Sequence, residues 1–321
     1  MPPTECASCG IPASMRCVGC MDAPEYKRGD APSIAYCGVK CQNSHWSVHK
    51  GRCAVLRKRT RLLRVAKILR AALLTYREVL FDIPLARIEL REGVLYLYRH
   101  PSKKISLRPF PGHLTTSVEH KEAALTHNQC TLAQSLLGPL ARKLLAGVAS
   151  PIETLDLHIG KPLVPTVLVE AHNNQNSGGG PHTMLKVGVH SSGETWIVDP
   201  AGCQYGFRDV LIPYDRYFEE KACTIVSPPK AYLAHETTDL EFMDKFFANQ
   251  PLMRMGSMAA LNDGHRKGRT VFATFVDKRV GSGKDFFDSF KSFNGSAAEF
   301  EAKLKGFVGE LKKHLETKAV A

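Results

Sequence analysis

Residues 6–53 read CASCGIPASMRCVGCMDAPEYKRGDAPSIAYCGVKCQNSHWSVHKGRC. Seven of the ten cysteines lie in this stretch, and only Cys130, Cys203 and Cys223 follow it. The candidate ligands are Cys6, Cys9, Cys17, Cys20, Cys37, Cys41, His49 and Cys53, spaced C-x2-C-x7-C-x2-C-x16-C-x3-C-x7-H-x3-C. A C-x2-C step lets two thiolates grip one ion, and tetrahedral zinc takes thiolate and imidazole. Eight ligands fill two closed four-coordinate sites with no position for water, so two structural Zn2+ ions are expected. On paper His45 competes with His49 as the imidazole ligand. The alternative to a metal site is a set of free thiols or a redox pair. Residues 1–54, rich in Cys, Gly and Pro, are too short and too polar to bury a core without such a staple.

The cysteines read as ligands rather than disulfides if the compartment is reducing. The opening MPPTECASCG has no basic segment followed by an apolar run, so no secretory leader is expected. No stretch approaches the ~18 uninterrupted apolar residues of a membrane span, so no membrane partner is expected either. An intracellular protein of nucleus or cytoplasm follows. Hydrophobic residues at 44% and charged residues at 23% argue against wholesale disorder.

Charge is uneven. From Lys50 to Arg77 there are ten Lys or Arg and no Asp or Glu, against a net charge of +12 for the whole chain. Val55, Leu62, Ala66, Leu69, Leu73, Tyr76 and Leu80 recur at one-face helical spacing, and Pro84 closes the segment. Arg57, Lys58, Arg59, Arg61, Arg64, Lys67 and Arg70 surround that stripe. They suit phosphate binding to nucleic acid, or a nuclear localisation signal in residues 57–61 (RKRTR). The favoured reading is a connector that docks its stripe and solvates its charges, because no aromatics for base stacking are interleaved.

Beyond it, residues 88–98 alternate around Glu92-Gly93 like a hairpin. A helix is expected from about Gln129 to Val148, bent or broken at Gly138-Pro139. Strands are expected at 154–159, 166–170, 183–189 and 195–199, the last two joined by Ser191-Ser192-Gly193, and another at 270–276 (TVFATFV). Residues 173–181 (NNQNSGGGP) have the composition of a mobile loop. Thr238 and Ser296 each precede a Glu by three residues, as in a capping box, and Phe300, Leu304, Phe307, Leu311 and Leu315 mark a last helix. Helices flanking a largely antiparallel sheet make residues 84–321 an α+β domain, with a helical part at 236–321.

The cysteine-rich stretch, above all Tyr36 to Cys53, resembles a MYND-type zinc finger over residues 6–53. The resemblance implies interleaved ligation: Cys6, Cys9, Cys37 and Cys41 on one zinc, and Cys17, Cys20, His49 and Cys53 on the other. It also implies protein–protein recognition, often of short proline-containing peptides, with Gln42 and Trp46 lining the groove. An exposed indole offers a flat apolar face to an extended proline segment. Packing within the finger's own small core is the other reading of Trp46.

A second constellation is Cys130, His182 and Asp199. Cys130 opens a predicted helix, where thiolate is stabilised. If the turn lies at Ser192-Gly193, Leu185, Val187, Val189, Trp196 and Val198 share one face, and His182 and Asp199 share the other. A thiolate needs a base and the base an orienting carboxylate. In that register, however, Asp199 faces Lys186, four residues from His182, so a bulge or a shifted turn is needed. Gln129-Cys130 and the run from His182 to Asp199 resemble the transglutaminase-like and papain-like thiol superfamily over residues 125–206, without an aromatic after Cys130.

The expected organisation is α+β: a small two-zinc MYND-type finger (1–54), a basic connector helix (55–83) and an α+β domain (84–321). The leading function is a zinc-dependent protein-interaction or adaptor protein, with a regulatory role. The alternative is a thiol enzyme acting on an amide by hydrolysis, deamidation or acyl transfer. A nucleic-acid binder using the basic helix is the weaker third.

Overall fold

A computed structural model describes residues 5–31, 34–170, 174–176, 179–189, 192–248, 256–281 and 295–319. A two-stranded ribbon, β1 (Met15–Arg16) and β2 (Ala35–Tyr36), leads into a 41-residue helix, α1 (Val39–Val79). The apolar periodicity predicts that helix only from Val55. Its first turns carry ligands and polar residues instead of a core stripe, so periodicity cannot reveal them. From Leu62 the expected stripe is buried: Leu62, Ala66, Leu69, Leu73 and Tyr76 enter the main core.

The hairpin forms as β3 (Leu85–Arg91) and β4 (Val94–Arg99). Glu92 and Gly93 turn it with φ of 53° and 77°, the two left-handed residues of a tight hairpin turn. α2 (Val118–Thr126), α3 (Cys130–Leu136) and α4 (Gly138–Leu145) follow, the last two separated where Pro139 enters the first turn. Next come β5 (Ala149–His158), β6 (Thr166–Val169), β7 (Asn174–Asn176), β8 (His182–Val189), β9 (Thr195–Val198) and β10 (Leu211–Pro213). α5 (Tyr214–Lys221), β11 (Thr224–Ala231), α6 (Thr238–Ala248), α7 (Gly256–Gly281) and α8 (Ala297–Ala319) complete the chain.

A five-stranded sheet has the order β10-β9-β8-β5-β11, with every pairing antiparallel. A four-stranded sheet, β3-β4-β6-β7, contains the parallel contact β4–β6. The fold is α+β, as expected. One face of the larger sheet (Leu185, Val187, Val189, Trp196, Val198) shares a single buried core with α1, α3, α4, α7 and α8. Met184 and Ile197 on its other face pack with Tyr205, Phe207 and Tyr217. β8 and β9 are thus covered on both sides.

Two local expectations are corrected. Residues 270–276 are not a strand but lie inside α7. Phe272, Phe275 and Val276 are buried, a three-and-four spacing that fits a helix face, and Phe272 meets Tyr76 of α1 edge-on. The β-branched and aromatic residues suggest strand, but tertiary packing overrides that propensity. Within the expected loop 173–181, residues 174–176 form β7 against β6; residues 173, 177 and 178 lie outside the described residues. Capping also differs between helices. Ser296 Oγ accepts the Glu299 N–H at 3.3 Å and Glu299 accepts the Ser296 N–H at 2.7 Å, a reciprocal box. At α6 the hydroxyl reaching Glu241 is that of Thr237, one residue earlier than expected, at 2.9 Å.

The basic stretch docks. Arg59 pairs with Asp30 and Glu194, Lys67 with Glu301 and Arg70 with Glu122. Arg64 donates to the Gly295 carbonyl at 2.7 Å and lies over Phe300. These cations are held by the chain's own carboxylates, carbonyl and aromatic ring.

Candidate metal centres and the Cys130–His182–Asp199 site

The ligand residues converge into two groups, Cys6, Cys9, Cys37 and Cys41, and Cys17, Cys20, His49 and Cys53. In each, the donor atoms all lie within 4.8 Å of one another. The two C-x2-C knuckles supply two sulfurs each. Cys37 precedes α1, Cys41 lies in its first turn, and His49 and Cys53 are one turn apart on it.

Four thiolates at the usual ~2.3 Å from zinc define a tetrahedron with edges of about 3.8 Å. In the first group the Cys9–Cys37, Cys37–Cys41 and Cys41–Cys9 sulfurs are 3.6, 3.4 and 3.7 Å apart. In the second, Cys17–Cys53 is 3.7 Å, Cys20–His49 Nε2 3.6 Å and Cys17–His49 Nε2 3.3 Å. These spacings are near tetrahedral edges, so the residues fit zinc. Burial, with Cys17 alongside, pushes the Cys20 thiol up to about 12. A dication favours deprotonated ligands and opposes that trend. The first group is partly exposed and the second fully buried.

His45 is the histidine left out. Its Nδ1 lies 3.0 Å from the Tyr36 hydroxyl, and its ring stacks on His49. Residues 6–53 match a family model, that of the MYND finger.

This stretch is a MYND finger.

It carries two zinc sites, and MYND fingers generally mediate protein–protein interactions. No curated protein and no solved structure matches the chain. The likeness of residues 125–206 to the thiol superfamily therefore gains no support from comparison. On the MYND finger, Trp46 is 42% exposed and meets His49 edge-on at 6.1 Å. Gln42, one helical turn earlier, is half-buried. Trp46 is not part of the finger's buried cluster around Tyr36 and Leu56.

In the body, α3 begins at Cys130 and packs on β8. The β8–β9 register pairs Leu185 with Val198 and Val187 with Trp196. Val189 N–H closes on the Glu194 carbonyl, so the connection spans residues 190–193 rather than a two-residue turn; residues 190 and 191 lie outside the described residues. Relative to the turn expected at Ser192-Gly193, the register moves by two. The faces are unchanged because strand side chains alternate with period two. The shift brings Asp199 within reach of His182, whose Nε2 lies 2.9 Å from both Asp199 oxygens.

His182 and Asp199 are fully buried and Cys130 is 8% exposed. Burial lowers the proton affinity of His182, whereas the Asp199 carboxylate and the Cys130 contact raise it. Burial raises the Cys130 thiol, and the His182 contact acts against it. Tyr217 donates to Asp199 Oδ2 at 2.9 Å, and Tyr205 packs edge-on against the His182 ring at 5.0 Å. Gly202 approaches the same carboxylate so closely that a Cβ there would lie 2.5 Å from Oδ2. Sequence reasoning missed Gln204, Tyr205 and Tyr217. They reach the site through the one-turn 3-10 helix Gly202–Tyr205 and through α5, and no short spacing announces them.

Two cavities share lining residues next to Cys130, and neither is lined by Cys130, His182 or Asp199 themselves. One of about 840 Å3 is lined by Gln129, Thr131 and Leu132 of α3 and by Leu233 and Phe242. Another of about 210 Å3 is lined by His127 and Glu170. Both reach Asn128 and Gln129, immediately before Cys130.

Proposed function

We propose that this protein is a zinc-dependent interaction or adaptor protein, regulatory in role, whose MYND finger captures proline-containing peptide segments. The observation that carries this is the exposed Trp46 ring held against the metal-ligand histidine, His49. A metal-fixed helix presents that indole in one orientation, so little order has to be gained on binding. The setting is a reducing compartment, nucleus or cytoplasm. No helix among the described residues is long and apolar enough to cross a membrane. Trp46→Ala should abolish capture of proline-containing peptides while zinc content stays at two per chain. Loss of zinc in that variant would return Trp46 to a packing role. Binding that survives Trp46→Ala and weakens steeply with salt would transfer the function to the basic helix.

A second reading has its own support, the convergence of Cys130, His182 and Asp199. It makes the body a thiol enzyme acting on an amide, with the finger recruiting its substrate. The Cys130 sulfur attacks the amide carbonyl carbon and the C–N bond breaks. The amine leaves with the proton that His182 took from the thiol, and Asp199 steadies the ring. Water or a second amine then displaces sulfur from the thioester, giving hydrolysis, deamidation or acyl transfer. Site-resolved iodoacetamide labelling of the zinc-loaded protein should modify Cys130 well before Cys203, which burial pushes up to about 11. His182→Ala should slow that labelling and Asp199→Asn should slow it less. Equal rates at Cys130 and Cys203, indifferent to His182→Ala, would leave the body a silent scaffold.

A further inference from the structure

Gln204 is 1% exposed and lies in the 3-10 turn that follows Asp199. Its amide joins the two halves of the thiol centre. Oε1 accepts the backbone N–H of Asn128 at 3.1 Å, two residues before Cys130. With Oε1 so committed, the NH2 group is the part of the amide that faces the His182 ring, 3.1 Å from Nδ1. The other ring nitrogen, Nε2, sits 2.9 Å from both oxygens of Asp199. An ionised carboxylate only accepts, so Nε2 bears a proton. Nδ1 faces an N–H donor and therefore presents its lone pair. A ring with one N–H and one lone pair is neutral. These contacts together describe a neutral imidazole, which leaves the proton on the Cys130 thiol.

We infer that Gln204 is a positioning residue that holds the centre in this neutral state, so that thiolate forms only when its amide yields Nδ1. This rests on the reading of Cys130 as a nucleophile. The step is one proton transfer. The S–H bond breaks, the electron pair stays on sulfur, Nδ1–H forms and His182 becomes imidazolium. The Gln204 N–H then loses its acceptor and faces another donor, which disfavours the ionised pair. Asp199 acts in the opposite sense by favouring imidazolium. The groups facing the ring are Cys130 from α3, Asp199 after β9 and Tyr205 from the 3-10 turn. Tyr217 of α5, Arg70 of α1 and Cys223 act on it through Asp199. Asp199 thus makes the ring a strong base, and Gln204 keeps that base from ionising the thiol at rest.

The test uses the full-length, zinc-loaded protein labelled with 15N-histidine, with the His182 signals assigned by their loss in His182→Ala. At pH 7 the ring should be the neutral Nε2–H tautomer; imidazolium there overturns the inference. Gln204→Leu removes the donor and should speed Cys130 alkylation about tenfold at neutral pH, with its pH midpoint about one unit lower. Slower labelling or an unmoved midpoint also overturns it. Labelling of Cys203 reports any general loosening of the fold. Gln204→Glu keeps an acceptor for Asn128 and replaces the donor, so its ring should be imidazolium at pH 7. A ring still neutral in that variant counts against Gln204. If the ring is neutral in the wild type and charged in Gln204→Glu, yet Cys130 labels no faster than Cys203, the proton assignment stands. The nucleophile reading is then what fails.

Discussion

The MYND finger and the thiol centre are both clusters of cysteine and histidine, and they are built in opposite ways. The finger gathers eight ligands from 48 residues, and each ligand pair is local: a C-x2-C knuckle, the entry to α1 or one turn of it. The thiol centre gathers Cys130, His182, Asp199 and Gln204 from a helix start, two strand ends and a 3-10 turn. The finger therefore depends on a metal for its order, whereas the body's site depends on the register of a sheet covered on both faces. A link joins them. Arg59 on α1 holds Asp30 of the finger at 2.8 Å and Glu194, at the tip of the β8–β9 hairpin, at 2.7 Å. Tyr26 packs on Trp196 of the same hairpin at 5.3 Å.

Zinc removal should separate the two regions most sharply. Structural zinc contributes roughly 10–16 kcal/mol in isolated fingers. Chelation, or replacement of Cys37 or Cys53 by Ser, should collapse the finger, while residues 84–321 keep their helical circular dichroism. Elemental analysis of the intact protein should approach two zincs per chain, and a value near one would break the interleaved assignment. If the body melts with the finger, the contrast between metal-held and register-held sites is wrong.

Arg59→Met tests the link alone. It leaves Glu194 buried without its cation, a change that costs about 3–5 kcal/mol when one member of a buried pair is removed. Chemical denaturation should show a loss of that size with zinc content unchanged. A loss below 1 kcal/mol would mean that the regions merely touch.

Acid should act on the body through His127. Burial, with Arg77 nearby, pushes this ring down to about 4, so it stays neutral in the fold. The unfolded chain takes up that proton near pH 6.5. Stability should therefore fall as pH drops from about 6.5 toward 4, by about 3 kcal/mol in all. Asp82 has the same sign lower down. Burial raises it, but the Arg77 charge and the His265 contact hold it well below the usual carboxylate range, so its contribution is lost as pH falls below about 3.9. Denaturation midpoints across pH 3–7 check both. A flat profile for the wild type above pH 4 would refute the His127 assignment. The smallest effect is expected from Lys67→Ala, since Lys67 and Glu301 are half exposed. It should cost under about 1 kcal/mol and vanish in high salt.

Much of the fold was legible where chemistry is local. Glu92-Gly93 announced its hairpin, Pro139 its helix break and Ser296 with Glu299 its cap. The face assignment of β8 and β9 was legible too, because a two-residue register shift leaves parity intact. Residues 270–276 were misread because their β-branched and aromatic composition outweighed a helical stripe that only α1 and α8 make decisive. The ligand-bearing first turns of α1 were hidden for the converse reason, since a helix that faces metal ligands has no apolar period.

The sequence by itself determined most of the finger: seven cysteine ligands and one of two histidines, that two ions are needed, and which helix face of the connector is apolar. Ligand spacing and apolar period are properties of short segments, so they survive without knowledge of the fold. Only the tertiary structure decided that Asp199 reaches His182, that Tyr217 and Gln204 complete the site, and that the connector's cations meet Asp30, Glu194, Glu122 and Glu301. Those contacts join residues far apart in the chain. Their partners are set by strand register and helix docking, which the summed packing of the whole core selects.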